Sequence, residues 1–493
     1  MKNIKHPHRP RTRAIGVRGL ITAMLAGAAT FAHAGTEYSV STTDLEVQEE
    51  SAFSDWWNGK QMLSFLPGRD LLEEHGIKLN GKWRGAFYGV LQSENGQKGF
   101  FDQEVAFSTD VDFAKLFNSD ALEGLSGFAG VRWRQPESGQ TPGPNEYVEA
   151  ASLFNPSHFQ SGTQWRLLTF GLKYATPEVF GIKDFITVKG GWLQPQKEFI
   201  DQPLSKLFLN NAIESSKGVG GNIPFSSSFS TWGGTLQVKP TGISYVKGGI
   251  FMSFPSATSS ANHGLAFQGY GPDTSRNGLM FMGEAGIKPK FGSAELPGHY
   301  AFGGYWWGQD NTSYYGASYE GQYGFYGQAD QMLFRESSPQ PEPEEVVYAK
   351  GASDGKSMSS KSFKEPVPMT EPKLSDQGLY SFNLVSFAPK YNNKYPFYFQ
   401  TGLVYKGLIP TRDKDQTMLA VAAGQYSFYQ IEALQAAGNV NQPNFTLVVE
   451  GGYRVQINGW AFTQPFVQYI AKPNGTEAVE NAWVLGLLTG VDF

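Results

Sequence analysis

The sequence predicts an all-β protein, a transmembrane antiparallel β-barrel of about 16 strands with long extracellular loops and short periplasmic turns. Residues 481–493 alternate lipid-compatible side chains with smaller or polar ones and end on an aromatic residue, which is typical of a closing barrel strand. From about Ile77 onward, similar short alternating runs are separated by turn-rich stretches. Because a strand in lipid cannot leave its backbone unpaired, these runs are expected to close into a barrel.

The composition of the 493-residue chain agrees with this prediction and excludes other classes. A mean hydropathy of -0.34 excludes a bundle of membrane helices, whereas alternating strands average to a hydrophilic value. The chain has no cysteine, and therefore neither disulfides nor thiolate metal sites. Acidic residues outnumber basic ones, 45 to 40, which argues against nucleic acid as a partner.

Residues 1–34 are predicted to be a secretory signal peptide. Six basic residues and no acidic ones precede an apolar stretch at 20–31, and the small-residue site Ala32-His33-Ala34 follows it. The apolar stretch is too short to span a membrane as an anchor. Removing this leader makes the net charge of the mature chain more negative than the -5 of the full sequence.

The rest of the chain is expected to divide into two parts. Residues 35–76 form a periplasmic N-terminal segment with a short helix, and residues 77–493 form the outer-membrane barrel. Within the barrel domain, residues 336–373 are rich in Pro, Ser, Glu and Lys, which predicts a disordered insert. With an even strand number and both termini in the periplasm, the insert and the connections 176–183 and 457–460 are periplasmic. The long stretches 135–162, 194–229, 255–277 and 427–444 are then extracellular.

Several ordered motifs resemble the OprB-type carbohydrate-selective porin family. They are LLEEHGI at 71–77, PFSSSFSTWGG at 224–234, GFYGQADQML at 324–333, GLVYKGLIPTRDKD at 402–415, and PFVQYIAKPNG with NAWVLGLLTGVDF in 464–493. The resemblance implies a sixteen-stranded outer-membrane channel through which monosaccharides or short oligosaccharides diffuse passively. The chain departs from the family in its insert and at Leu487-Leu488-Thr489, where many relatives are expected to carry an arginine.

Alternation also predicts which charged side chains face the lumen. On the clearest run, 445–457, Glu450 and Arg454 share the face opposite the apolar residues, and water in the lumen is the only favourable surrounding for them. The same rule predicts a basic wall of Arg84, Arg132, Arg134 and Arg166, and an opposite polar wall of Glu284, Asp330, Glu450 and Gln328. The pore-lining or substrate-contacting candidates are therefore Arg84, Arg132, Arg134, Arg166, Glu284, Asp330, Glu450 and Arg454. Simple solvation or structural pairing of each charge is the alternative.

The longest external stretch, 194–229, could narrow the barrel by folding into it. Trp192, Phe199 and Phe208 are candidates for stacking on sugar rings, and the alternative for Trp192 is an aromatic belt at the membrane interface. Arg412, Asp413 and Asp415 belong to the most family-like motif but are predicted to lie on a periplasmic turn with a structural role.

We therefore predict an outer-membrane porin for passive carbohydrate diffusion, with no catalytic residues, no cofactor and no metal. Its expected partners are carbohydrate solutes and outer-membrane lipid, without nucleic acid. A general or anion-preferring small-solute porin remains the alternative, because selectivity depends on the geometry of the constriction. An outer-membrane barrel enzyme is a more remote alternative, since the chain lacks an H-E-x-x-H motif. The sequence does not distinguish a homotrimer from a monomer.

Overall fold

The computed structural model describes residues 57, 59–136, 143–149, 154–159, 164–200, 202–215, 219, 221–223, 229–254, 262–267, 278–337 and 374–493. The predicted signal peptide, most of the predicted N-terminal segment and residues 338–373 of the predicted insert lie outside the described residues.

The described residues contain sixteen antiparallel strands that form one closed barrel, as predicted. Each strand pairs with its neighbours in sequence, and the last pairs with the first. The strands are β1 (Ile77–Gln92), β2 (Lys98–Asp112), β3 (Leu125–Pro136), β4 (Gln164–Ala175), β5 (Ile186–Leu193), β6 (Thr231–Val238), β7 (Ser244–Ser253), β8 (Gly278–Ile287), β9 (Leu296–Thr312), β10 (Ser318–Arg335), β11 (Gly378–Phe387), β12 (Phe397–Lys406), β13 (Gln416–Gln425), β14 (Phe445–Gln456), β15 (Ala461–Ala471) and β16 (Ala482–Asp492). A two-residue strand, Lys290–Phe291, pairs with the start of β9.

The seam between β1 and β16 closes the barrel at the chain terminus. Its register runs from Lys82 opposite Asp492 to Gln92 opposite Trp483. The amide of Phe493 donates to the carbonyl oxygen of Gly81 over 2.8 Å. A Cβ on Gly81 would lie 2.8 Å from the Phe493 ring, so glycine is what allows this close approach. Closure pairs both edges of each of the sixteen described strands, as a membrane-spanning sheet requires.

Side-chain exposure in β16 follows the predicted alternation. Trp483, Leu485 and Leu487 point outward with 43%, 50% and 40% of their surface exposed, whereas Val484 and Leu488 point inward and are buried. The outward face is therefore apolar over the length of the strand, as a lipid-facing surface requires.

The lengths of the connections divide the barrel into two ends. The long connections 137–163, 194–230, 254–277 and 426–444 all leave one end. The start of β1, the end of β16 and the short connections 176–185, 239–243 and 457–460 lie at the other. This agrees with the predicted parity, and the assignment of the ends to the cell exterior and the periplasm stays a prediction.

Short helices accompany the strands. They are α1 (Arg69–Glu74), α2 (Phe113–Phe117), α3 (Pro144–Tyr147), α4 (Pro195–Phe199), α5 (Asn211–Glu214) and α6 (Phe428–Ala436), with 3-10 turns at Asp120–Leu122 and Pro203–Leu207. Helix α1 ends shortly before β1, within the family-like LLEEHGI motif. In the described part of the chain, no helix has the length and apolarity needed to cross a membrane.

The connection between β5 and β6 folds into the barrel, and we call its described residues within 194–223 the inserted segment. It covers inward-facing apolar side chains of the wall: Phe199 packs on Phe251, with ring centres 6.1 Å apart, and Phe208 packs on Phe382 at 5.6 Å. Burying this face stabilises the fold because apolar side chains in a water-filled lumen would otherwise be hydrated. The other wall residues in this buried cluster include Met280, Met282, Leu384, Val404, Met418, Ala420 and Val448.

Candidate functional site

The inserted segment is attached to the barrel wall through Glu450 on β14. The two carboxylate oxygens of Glu450 accept hydrogen bonds from the backbone amides of Leu209, at 2.8 Å, and Asn210, at 2.7 Å. The side chain of Gln468 donates to the same carboxylate over 3.2 Å, and the Asn210 amide donates to Gln468 over 3.1 Å. Glu450 is 1% exposed. Its charge is therefore satisfied by the segment, as a buried carboxylate requires.

A second group of polar wall residues holds the first half of the inserted segment. Gln202 donates to Asp330 over 3.1 Å and to the backbone oxygen of Asn383 over 2.8 Å, and accepts from Gln400 at 3.0 Å. Gln328 on β10 donates to the backbone oxygen of Phe199 over 3.2 Å. The segment is thus fixed at separate points around the barrel, across β10 to β14.

The connection between β3 and β4 also reaches the inserted segment. The amide of His158 donates to the carbonyl of Leu209 over 3.0 Å, and the amide of Asn211 donates to the carbonyl of Asn155 over 3.0 Å. Arg134 donates to the carbonyl of His158 over 2.7 Å. Two long connections therefore meet inside the barrel and together narrow it.

The inserted segment leaves a cavity of about 850 Å³ on the opposite side of the lumen. Inward-facing residues of β1 to β5 form one side, and residues of the inserted segment, β7 and β14 to β16 complete it. Among its described lining residues, nine are Lys or Arg and three are Glu. The basic residues are Lys82, Arg84, Arg132, Arg134, Lys189, Lys197, Lys206, Lys247 and Arg454, and the acidic ones are Glu104, Glu198 and Glu214.

Strand register builds the basic wall around one carboxylate. Arg84 on β1 lies opposite Glu104 on β2, which lies opposite Arg134 on β3. The Glu104 carboxylate lies 2.6 Å from Nε of Arg134, 3.8 Å from Nε of Arg132 and 3.5 Å from Nζ of Lys82. Arg84 itself pairs with Asp492 at 2.6 Å. The structure thus brings the predicted arginines together in neighbouring cross-strand rows.

Sequence reasoning missed Glu104, although a signal was present. In KGFFDQEVAFSTDVD at Lys98–Asp112, apolar or bulky residues at 101, 105 and 107 alternate with Asp102, Glu104 and Ser108. This alternation would have predicted β2 between the two arginine-bearing strands, with Glu104 on the inward face. The basic wall was predicted without its central carboxylate.

Arg166 and Arg454 lie in different surroundings. Arg166 pairs in register with Arg132, but its guanidinium carbon lies 4.8 Å from the centre of the Phe229 ring, and it is not among the cavity-lining residues. Arg454 does line the cavity and donates to Gln464 over 2.8 Å. The basic wall therefore continues through Arg454 rather than through Arg166.

The predicted acidic wall lies behind the inserted segment. Glu284 accepts hydrogen bonds from Tyr245 at 2.7 Å, Tyr326 at 2.9 Å and Gln328 at 3.0 Å. Asp330 and Glu450 bind the inserted segment as described above. None of these three carboxylates is among the described residues that line the cavity. Their inward direction agrees with the alternation, but in this structure they form hydrogen bonds with the barrel wall and the inserted segment and so stabilise the packing inside the barrel.

The aromatic side chains near the cavity also differ from those expected. Trp192, Phe199 and Phe208 are at most 2% exposed and pack within the protein, so none of them presents a ring to the cavity. Phe159 and Phe462 border the cavity, but they are themselves only 1% and 4% exposed. The guanidinium carbons of Arg84 and Arg454 lie 5.0 and 3.9 Å from the centre of the Phe462 ring, which places two cations over one aromatic ring.

Burial inside the barrel changes the pKa values of ionisable residues in the connections that fold into it. Lys197 reaches the water of the cavity, but the surrounding protein lowers its pKa, and the charges of Lys82 and Lys206 lower it further. Burial lowers the pKa of His158 to about 4, so this ring adds no charge at neutral pH. Burial opposes ionisation of Glu214, yet Lys206 and the Ser215 hydroxyl help to hold its pKa below the usual value.

The family model for carbohydrate-selective porins of the OprB family matches residues 97–493. The chain belongs to the OprB family. It is an outer-membrane porin with carbohydrate selectivity, and its family and fold are those of a channel. Within the described residues of this porin, no group of three or more His, Asp or Glu side chains is arranged to hold a metal ion.

Two similar proteins extend this comparison. Porin B of Pseudomonas aeruginosa is 24% identical over 506 residues, which cover 97% of both chains. The high-pH structure of OprB from Pseudomonas putida aligns with a TM-score of 0.72 and 20% sequence identity, covering 88% of this porin and 99% of that chain. The structural likeness confirms the fold.

The most family-like motif of this porin forms a turn, as predicted. Arg412 donates twice to Asp415, over 2.8 and 2.9 Å, in the connection between β12 and β13. Asp415 also accepts from the Tyr453 hydroxyl at 2.6 Å and from the Gln456 amide at 2.9 Å. The motif therefore ties the turn to the end of β14, away from the cavity.

Proposed function

We propose that this porin lets monosaccharides or short oligosaccharides diffuse passively across the outer membrane of a Gram-negative cell into the periplasm. The cavity between the inserted segment and the β1–β5 wall is the selective constriction. The observation that carries the proposal is the composition of this cavity, in which charged and hydroxyl hydrogen-bonding groups line a space inside the barrel.

The arrangement suits a solute rich in hydroxyl groups. A sugar that enters a narrow passage loses part of its hydration, and groups on the wall must replace those hydrogen bonds. Guanidinium and ammonium groups donate to hydroxyl oxygens, and Glu104 accepts from hydroxyl hydrogens. Because these groups are held by strand pairing and ion pairs, little ordering is needed when the sugar enters.

Fixed attachment of the inserted segment supports passive diffusion. The segment is bonded to the wall through Glu450, Gln202 and Gln328. A passage of constant width transports by diffusion down a gradient, and the proposed function assigns no bond-breaking step to any residue. The outward apolar faces of the strands are proposed to contact outer-membrane lipid.

Permeation of sugars into vesicles tests the proposal. Proteoliposomes containing the refolded porin should swell in isosmotic glucose faster than empty liposomes, and more slowly in oligosaccharides as their length increases. In planar bilayers, added sugar should reduce the ion current in a concentration-dependent manner. Swelling no faster than in empty liposomes, together with an ion current unaffected by glucose and maltose oligomers, would exclude a carbohydrate channel.

A general anion-preferring porin is the second candidate, and the excess of basic residues in the cavity favours it specifically. Reversal potentials in a salt gradient measure ion preference independently of sugar block. A strong anion preference without any sugar block would support the second candidate over the first.

A further inference from the structure

The charge of the cavity points beyond neutral sugars. Nine basic residues face three carboxylates, and each of these carboxylates already lies within 4.0 Å of a basic residue of the same cavity. The pairs are Glu104 with Arg134 at 2.6 Å, Glu198 with Lys189 at 2.5 Å, and Glu214 with Lys206 at 4.0 Å. Most of the positive charge therefore has no carboxylate within the cavity to balance it.

The basic residues also surround the cavity instead of forming one wall. Arg132 and Arg134 come from β3, Lys247 from β7 and Arg454 from β14, and Lys197 comes from the inserted segment. The carboxylates that the sequence predicted for the opposite wall lie behind that segment. A solute in the cavity consequently meets positive potential from several sides.

The protein walls around the cavity strengthen its positive potential. A cleft lined by charges of one sign, with low-dielectric walls, concentrates counter-ions and raises their rate of entry. The pKa of Lys197 is lowered by enclosure and by the neighbouring charges of Lys82 and Lys206, which is the expected sign for a site with too much positive charge. An entering anion would relieve this repulsion.

The remaining chemistry of the cavity still fits a sugar. Ser108 and Thr169 offer polar groups for hydroxyls. Its volume of about 850 Å³ accommodates a monosaccharide with some water. A carboxylate on such a solute would meet ammonium groups that reach the cavity, among them that of Lys82, whose side chain is 47% exposed.

We propose that the preferred solutes of this channel are acidic monosaccharides, meaning hexuronic or aldonic acids that carry one carboxylate, and that neutral sugars of the same size pass more slowly. This inference rests on the proposed function and narrows its substrate class. The basic lining attracts the carboxylate of such a solute. Its hydroxyl groups form hydrogen bonds with polar groups of the cavity wall, and an anion without hydroxyls would leave those groups bonded to water.

Flux of radiolabelled solutes into proteoliposomes tests this inference. Glucose, glucuronate and cyclohexanecarboxylate are compared because they have similar ring size and differ in charge or hydroxyl content. At low ionic strength we expect glucuronate to enter about tenfold faster than glucose, and high salt should remove most of that difference. Cyclohexanecarboxylate should enter more slowly than glucuronate.

Two variants locate the effect. Replacing both Lys197→Gln and Lys206→Gln should lower the ratio of glucuronate flux to glucose flux several-fold at low salt. Lys472→Gln is the matched control, because Lys472 pairs with Glu477 in the external connection between β15 and β16 and does not line the cavity.

The possible results separate this inference from the proposed function. Equal entry of glucose and glucuronate would overturn the inference and leave the carbohydrate channel standing. Entry of cyclohexanecarboxylate as fast as glucuronate would overturn it in favour of a general anion pore. Entry of none of the three above empty liposomes would overturn the proposed function itself.

Discussion

Glu450 is expected to control the width of the passage, and the isosteric variant Glu450→Gln tests this. The carboxylate accepts two backbone amide hydrogens of the inserted segment, at 2.8 and 2.7 Å. An amide keeps one acceptor oxygen but turns its NH₂ group toward the second backbone N–H, so one of the two hydrogen bonds is lost. A hydrogen bond to a charged group contributes about 1.5–3 kcal/mol, and an unsatisfied buried donor adds to the loss.

We therefore expect the attachment of the segment to weaken by about 2–3 kcal/mol. Such a change raises the population of the detached segment roughly 30- to 150-fold, since about 1.4 kcal/mol corresponds to a factor of ten. Single-channel recordings should show a larger mean conductance with added current fluctuations. Sugar block of the current should weaken at the same time, because the wider passage makes fewer contacts with the solute.

Glu477→Gln is the matched control for this prediction, since the same chemical change falls on an exposed carboxylate of the connection between β15 and β16. Heat-modifiable migration on gels checks that both variants still form barrels. If Glu450→Gln gave the conductance, current noise and sugar block of the unmodified protein, the idea that Glu450 positions the constriction would be refuted.

Three further predictions concern the lumen charge, a turn and the seam. Replacing Arg84, Arg132 and Arg134 together with Gln neutralises the basic wall. This should lower the anion preference, measured by reversal potential, at least about threefold at low salt, and it should weaken the block of the ion current by sugar. Asp415→Asn should cost about 1–3 kcal/mol of stability in thermal unfolding. Burial opposes its ionisation, but Arg412 bonds the charged form and helps to hold the pKa of Asp415 below its usual value. This stabilisation is present above the unfolded-state pKa and is lost as the pH falls through the folded-state pKa, so the variant and the unmodified protein should converge in acid. Gly81→Ala should lower thermal stability by about 1–3 kcal/mol because its Cβ would crowd Phe493, whereas Gly248→Ala, with no atom within 4 Å of the added Cβ, should not.

The barrel was predictable because its signal repeats along the chain. Alternation alone identified the closing strand, the inward direction of Glu450 and Arg454, and the end of the barrel at which each long connection lies. Glu104 was missed, so the basic wall was predicted without its central counter-charge. These features depend on local pattern, and closer reading of the same pattern would have found them.

The filling of the lumen could not be predicted in this way. Glu450 meets Leu209 and Asn210 across about 240 residues of sequence, and no local pattern reports such a contact. Alternation shows that a side chain points inward, but not whether water or a folded segment lies there. For this reason Glu284 and Asp330 were expected to line the passage, whereas Lys197 and Lys206, which do line it, were not identified.

Single-cysteine accessibility tests the central claim most directly, because the chain contains no native cysteine. Ser108→Cys places a thiol on the cavity wall, and Ala420→Cys places one on an inward position beneath the inserted segment, where Ala420 is 1% exposed. A charged methanethiosulfonate reagent should reduce the ion current of the Ser108 variant and leave that of the Ala420 variant unchanged. Equal block of both variants, or block of the Ala420 variant alone, would contradict a passage that runs beside the inserted segment.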